Sequence, residues 1–317
     1  MNPSDLRLPL TVITGYLGAG KTTLVNHLLR NAGGRRIMVL VNDFGDIAID
    51  ADLIASQDGD SLTLANGCIC CSLGGDLYYA LTAALDRTPR PDHLLIEASG
   101  VADPKRISDI ARAEPDLRPD ATVALVDAGA FAGQVEDEYI GSSVARQLRS
   151  SDLIVINKSD LASSAGLADL QKRIAGLAPA AQQVTSFRGR LSPDILLGRR
   201  DFSEEDRSSA SSSNEHDVPH EHEDLYVRWS MTTETAFDKA RLTAALKDLP
   251  AGLLRLKGFV RLRGDEGWAL VQVVGRRADL ELLKSPPARA GPSTRLSAIG
   301  LKGLLEPASL DRLFARR

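Results

Sequence analysis

The chain has no apolar run of 18 residues, the length a membrane-crossing helix needs, so no transmembrane span is expected. It has no basic excess. Against 38 Lys and Arg stand 42 Asp and Glu, a formal net charge of −4, which argues against a dedicated nucleic-acid binder that must neutralise phosphates. The opening residues, Met1-Asn2-Pro3-Ser4-Asp5, lack the charged-then-apolar layout of a secretory signal. Internal repeats are absent. Cysteine is scarce: there are three, Cys68, Cys70 and Cys71, all in one short stretch. A disulfide framework would spread its cysteines along the chain. Clustered thiols in an otherwise cysteine-free chain point instead to a reducing compartment, here the cytoplasm, and to a metal or redox role. Hydrophobic residues still make up 43% of 317, enough for two domain cores.

What is present begins with Gly15-Tyr16-Leu17-Gly18-Ala19-Gly20-Lys21-Thr22-Thr23, which fits G-x-x-x-x-G-K-[ST]. The apolar run Leu8–Ile13 precedes it and reads as a buried strand. Leu24-Val25-Asn26-His27-Leu28-Leu29 follows with helical spacing. Strand, glycine loop and helix together make a phosphate site. Glycines at 15, 18 and 20, with Ala19, let backbone N–H groups approach phosphate oxygens, and the helix start favours anions. Lys21 is expected to neutralise the β- and γ-phosphates, and the Thr22 hydroxyl to ligate Mg²⁺.

From residue 8 to about 200, apolar runs alternate with helical stretches. The expected strands are Leu8–Ile13, Ile37–Val41, Ser61–Leu64, His93–Ile96, Ala121–Val126, Leu153–Ile156 and Gln183–Phe187; Asp76–Asp86 and Leu167–Ala175 are expected helices. Nearly continuous apolar runs fit strands covered on both faces. The reading is an α/β fold: a doubly wound, mainly parallel P-loop NTPase domain over 1–200, with functional loops at the carboxyl ends of its strands. Residues 201–224 contain the tract Ser203–Asp224, acidic and serine-rich, which reads as a flexible linker. Residues 225–317 read as a smaller C-terminal α+β domain. Its expected elements are a strand Leu225–Met231, a helix Phe237–Leu249, a hairpin of Leu253–Leu262 with Trp268–Val274, a strand Thr294–Ile299 and a helix Ala308–Phe314.

Asn157-Lys158-Ser159-Asp160 ends the apolar run Leu153–Ile156. N-K-x-D in that place reads guanine. The Asp160 carboxylate can accept from N1–H and from the exocyclic amine, whereas adenine would leave it unpaired at a cost of about 1–3 kcal/mol. Asn157 is expected to fix the loop and base edge, and the Lys158 stem to cover the ring. GTP is therefore expected over ATP. Asn42-Asp43-Phe44-Gly45-Asp46 follows the second strand, and Asp43 or Asp46 can reach Mg²⁺, although the same residues favour a plain turn. Glu97-Ala98-Ser99-Gly100 closes the strand from His93. Glu97 there can hold Mg²⁺ or orient the attacking water, and Gly100 can donate its N–H to the γ-phosphate.

Gly67-Cys68-Ile69-Cys70-Cys71 can bring three thiolates onto one cation, Zn²⁺ foremost, with Cu(I) and Co²⁺ as alternatives. An incomplete protein shell suits a site that releases its metal. His216, His220 and His222, among acidic residues in the linker, can capture a divalent metal loosely or serve only as a solvated tract. His27 and His93 read as structural.

Taken in order, Thr14–Leu24, Val41–Asp46, Asn66–Cys71, Glu97–Gly100 and Asn157–Asp160 resemble the CobW-related P-loop GTPases, a branch of the metallochaperone GTPases. Arg255-Leu256-Lys257-Gly258-Phe259-Val260 is similar to that family's C-terminal domain. The resemblance implies Mg²⁺-dependent GTP hydrolysis and a metallochaperone or insertase for Zn²⁺ or Co²⁺. The reading that follows has metal delivered to a client docked on the C-terminal domain, expects no nucleic-acid or membrane partner from the charge and hydropathy above, and allows a homodimer. It also makes Asp46 a metal ligand beside the thiolates, where the family usually carries Glu. Ser72-Leu73-Gly74-Gly75 lacks the Arg often found there. Two rivals make different demands. A P-loop small-molecule kinase would use ATP, against Asn157–Asp160; a passive metal store would show no turnover, against Lys21, Thr22 and Glu97.

Overall fold

The computed structural model describes residues 7–41, 61–63, 75–98, 100, 103–198, 225–264, 267–283, 286–287 and 293–315. They fall in two compact units, one within Ser4–Leu197 and one within Gly198–Arg317.

The first unit is a seven-stranded sheet: β1 (Leu8–Gly15), β2 (Ile37–Val41), β3 (Ser61–Thr63), β4 (His93–Glu97), β5 (Leu117–Asp127), β6 (Leu153–Asn157) and β7 (Gln182–Thr185). Its order is β3-β2-β4-β1-β5-β6-β7, and each of these neighbouring pairs is parallel. The helices between them are α1 (Lys21–Arg30), α2 (Gly75–Leu85), α3 (Pro104–Ala113), α4 (Phe131–Glu136), α5 (Gly141–Arg149), α6 (Ser164–Leu177) and α7 (Pro193–Leu197). β2, β4 and β6 are buried at every position, as apolar runs covered on both faces must be. Leu10, Val12, Met38, Leu40, Leu94 and Ile96 pack with Leu77, Leu81, Ile107 and Ala111 of α2 and α3. Ala124, Val126, Ile154 and Ile156 pack with Val144, Leu148, Leu170 and Ile174 of α5 and α6. Each such Leu, Ile or Val gains about 1.5–3 kcal/mol from leaving water. Those gains hold the sheet rigid beneath its loops.

The register sets where those loops start. Thr63 pairs with Val41, Val41 with Glu97, and Glu97 with Ile13, so one row crosses four strands near their carboxyl ends. Asp127 pairs with Asn157 in the same way farther along the sheet. β1 lies between β4 and β5, where the strand order reverses, and that is where an open α/β sheet makes its ligand crevice.

The second unit is an antiparallel sheet ordered β11-β10-β9-β12-β8. Its strands are β8 (Tyr226–Thr233), β9 (Leu253–Arg261), β10 (Trp268–Val274), β11 (Arg277–Leu283) and β12 (Thr294–Leu301). Helices α8 (Lys239–Ala245) and α9 (Pro307–Ala315) cover one face, where Leu242, Leu310 and Phe314 meet Trp229, Leu256, Val271 and Leu296. Two expectations change here. The helix expected over Phe237–Leu249 shortens to Lys239–Ala245, because Phe237 is taken into the sheet: its N–H bonds Arg261 and its carbonyl accepts from Arg263. Asp238 then caps the helix by accepting from the Arg241 amide. The strand β11 was not expected. Its Arg277-Ala278-Asp279-Leu280-Glu281 run alternates charged with apolar residues at a sheet edge, and only the partly buried Ala278 and Leu280 pack on the core, a weak apolar signal.

Candidate functional site

The glycine loop joins β1 to α1. Gly20 caps α1 in the left-handed region, at φ 98°, with no side-chain cap, so the first-turn amides are left to face whatever sits in the loop. A Cβ at Gly20 would come within 2.3 Å of the Asn157 Nδ2, so close approach as well as φ requires glycine. Lys21 is buried, and its ammonium donates to the Gly15 carbonyl at 3.0 Å, folded across the loop.

Thr22 and Glu97 meet beneath this loop. The Thr22 hydroxyl donates to Glu97 Oε1 at 2.9 Å, across 75 residues of sequence. Glu97 is only 2% exposed. A hydroxyl and a carboxylate at one point are hard oxygen donors, a set that fits Mg²⁺. Gly100 follows at the end of the same strand. A Cβ there would sit 2.9 Å from the Leu17 backbone nitrogen, so its backbone lies directly against the glycine loop.

At the end of β6, Asn157 is nearly fully buried and both ends of its carboxamide are used. Nδ2 donates to the Ala19 carbonyl at 2.9 Å, and Oδ1 accepts from the Gly189 amide at 2.9 Å. One side chain thus ties the glycine loop to the turn Phe187–Arg190. Ser159 reinforces that turn through two bonds to the Ser186 carbonyl. Lys158 adopts φ 56°, and its Nζ pairs with Asp127 Oδ2 at 2.7 Å. Asp127 Oδ1 accepts from the Gly129 amide, which fixes the carboxylate. Asp160 is the middle residue of the short 3₁₀ turn Ser159–Leu161 and is exposed.

The structure therefore gathers Gly15, Gly18, Ala19, Gly20, Lys21, Thr22, Thr23, Glu97, Gly100, Asn157, Lys158 and Asp160 at the carboxyl ends of β1, β4 and β6. The readings of Asp43, Asp46, Cys68, Cys70, Cys71, His216, His220 and His222 lie outside the described residues. What the described chain gives for them is where it leaves the sheet: Val41 and Thr63 stand in the same row as Glu97. β3 is three strands from β1, roughly 14 Å at the usual strand spacing. His93 and His27 are bonded within the fold. His93 Nε2 lies 2.9 Å from Thr11 Oγ1 and 3.8 Å from Asp120, and His27 Nε2 lies 3.0 Å from the Leu191 carbonyl. Among the described residues no helix is long and apolar enough to cross a membrane.

Three participants escaped the sequence reading. Asp127 closes an apolar strand, the signal that singled out Glu97, and was legible in principle. Gly189 sits between two arginines with no pattern around it. Gln147, whose Nε2 donates to the Gly100 carbonyl at 2.9 Å, is a lone glutamine on a helix and gave no signal at all.

Residues 9–185 match the family model for the CobW/HypB/UreG nucleotide-binding domain, and residues 226–316 match the cobalamin synthesis protein cobW C-terminal domain. The chain is 34% identical over 337 aligned positions to the zinc chaperone CobW of a Sinorhizobium species, covering 95% of each. It is 31% identical over 290 positions to the zinc chaperone YjiA of Escherichia coli K12, covering 87% of each. The crystal structure of the Zn(II)-bound YjiA GTPase from E. coli aligns over 98% of each chain, at 22% identity and a TM-score of 0.46. The chain belongs to the CobW/HypB/UreG family, with a CobW C-terminal domain following its nucleotide-binding domain.

Proposed function

We propose that this protein is a GTP-hydrolysing metallochaperone that carries zinc at Cys68, Cys70 and Cys71 and gives it up to a client protein. The single observation that carries the nucleotide half is the Thr22–Glu97 pair, brought together beneath the glycine loop from 75 residues apart. Its arrangement suits triphosphate hydrolysis. The first-turn amides of α1 and the Lys21 ammonium take up the β- and γ-phosphates. Thr22 and Glu97 would hold Mg²⁺, which would supply positive charge against the charge that develops on the phosphate oxygens. Asp127 keeps the Lys158 side chain in place, and Asp160 reads the N1–H and exocyclic amine of guanine. Gly100 donates its N–H to the γ-phosphate.

The metal half rests on the donor set and on topology. Three thiolates with Asp46 make a shell of soft and hard donors suited to Zn²⁺, with Co²⁺ next. Two relatives that the chain matches over most of their length are named zinc chaperones, which favours zinc. The segments that carry Asp43, Asp46 and the cysteines leave the sheet from the row containing Glu97. In this reading a metal on those segments and a γ-phosphate beside Glu97 are coupled, and such coupling is reciprocal. GTP favours metal capture, and hydrolysis relaxes the loops and releases metal to a client on the C-terminal domain.

The test is Cys70→Ser in the full chain. Zinc-stimulated hydrolysis is expected to fall to the basal rate while GTP affinity stays within twofold. Stimulation equal to wild type would remove the coupling.

A further inference from the structure

Gln147 is 3% exposed, on the face of α5 turned into the fold. Its Nε2 reaches 47 residues back along the chain to donate to the Gly100 carbonyl at 2.9 Å. Burying a carboxamide costs desolvation that its hydrogen bond roughly offsets, so a leucine of similar size would serve packing as well. What the amide adds is direction. Gly100 has no Cβ to restrict it, and it lies against Leu17 of the glycine loop, where a Cβ would meet the Leu17 nitrogen and side chain at 2.9 to 3.0 Å. A bond on its carbonyl anchors the residue from one side while Leu17 backs it from the other, so its position against the glycine loop is held.

The support behind that bond is stiff. The carbonyl of Gln147 itself accepts from Ser151 Oγ at 2.8 Å, at the end of α5. Two residues later β6 begins, and it ends on Asn157, which holds Ala19 of the same glycine loop. One helix–strand unit therefore braces the glycine loop from one end and Gly100 from the other.

We infer that Gln147 is a positioning residue for γ-phosphate recognition: its carboxamide holds Gly100 against the glycine loop so that the Gly100 amide meets the terminal phosphate of GTP. This rests on the reading of the site as a GTP site. The consequence is selective. GDP has no γ-phosphate and gains nothing from a fixed Gly100, whereas GTP does, and a contact shifts an equilibrium only through such a difference.

The experiment compares the full chain with Gln147→Met, which keeps the length and removes the donor. Affinities for GDP and for a non-hydrolysable GTP analogue are measured by calorimetry with Mg²⁺, beside single-turnover hydrolysis and thermal melting. The expected result is a preference for the analogue over GDP that falls about five- to tenfold, with GDP affinity within twofold of wild type, the size of one buried neutral hydrogen bond. Single-turnover hydrolysis falls with it. If Gln147→Met does not fold, Gln147→Asn carries the same expectation, because it is one methylene too short to reach Gly100. An unchanged preference overturns the inference, and so does a parallel loss of both affinities with the melting temperature, which marks a purely structural glutamine. Wild-type binding, measured first, tests the site reading separately. A wild-type chain that binds neither nucleotide overturns both, whereas one that prefers the analogue leaves the variant's ratio to decide on Gln147 alone.

Discussion

Asn157 and Gly20 form a coupled pair whose energies can be separated by a double-mutant cycle. Asn157→Ala removes two buried hydrogen bonds, to the Ala19 carbonyl and from the Gly189 amide. Each leaves a buried backbone group unsatisfied at about 1–3 kcal/mol, so the variant is expected to lose about 2–6 kcal/mol. Gly20→Ala carries two separate costs. Its backbone sits at φ 98°, a conformation that costs an L-residue about 1–2 kcal/mol. Its new Cβ would also lie 2.3 Å from Asn157 Nδ2, which must move and break its bond to Ala19. That broken bond is the same one that Asn157→Ala removes. In the double variant it is lost only once, and alanine at 157 leaves room for the Cβ. The two losses should therefore fall short of additivity by about 1–3 kcal/mol, the value of the shared bond, while the φ strain persists. Urea unfolding followed by circular dichroism, run without nucleotide, measures all four corners. GDP affinity of the same four proteins reports whether the loss falls on the glycine loop. Losses that add to within about 0.5 kcal/mol would refute the reasoning, because they would mean that Asn157 does not brace the loop at Gly20.

Further expectations concern the base and the metal ion. Asp160→Ala should remove the distinction between GTP and ITP, since inosine lacks the exocyclic amine that the carboxylate accepts; a persisting preference for GTP in competition binding would show that another group reads the amine. Glu97→Gln keeps an acceptor for the Thr22 hydroxyl but removes the negative charge. Hydrolysis is expected to drop at least tenfold and the Mg²⁺ requirement to rise, with GDP affinity in the absence of Mg²⁺ little changed, and an unaltered Mg²⁺ titration would take Glu97 out of the ion's shell.

Much of the nucleotide unit is legible in the sequence because its strands are covered on both faces. A run such as Leu153–Ile156 has no polar residue to confuse its reading, and the residue that ends it is by position at the ligand end of the sheet. Glu97, Asp127 and Asn157 all occupy such ends, and two of the three stand out by motif. Gln147 could not be found that way. It sits mid-helix, where a glutamine is ordinarily a solvated side chain, and only the folded chain brings it to Gly100. In the second unit the same logic fails at an edge. β11 has one sheet neighbour, alternates charged with apolar residues, and so resembles a polar loop until it is paired with β10. Phe237 was legible as apolar but not as a bridge, because its partners Arg261 and Arg263 are remote backbone groups that no local pattern encodes.

The most direct measurement is a zinc titration of the purified metal-free chain with and without a non-hydrolysable GTP analogue, read by calorimetry. The expected result is one zinc per chain held through the thiolates of Cys68, Cys70 and Cys71, bound at least fivefold more tightly when the analogue is present. Equal zinc affinity in both titrations, or a zinc stoichiometry unaffected by removal of those cysteines, would contradict it.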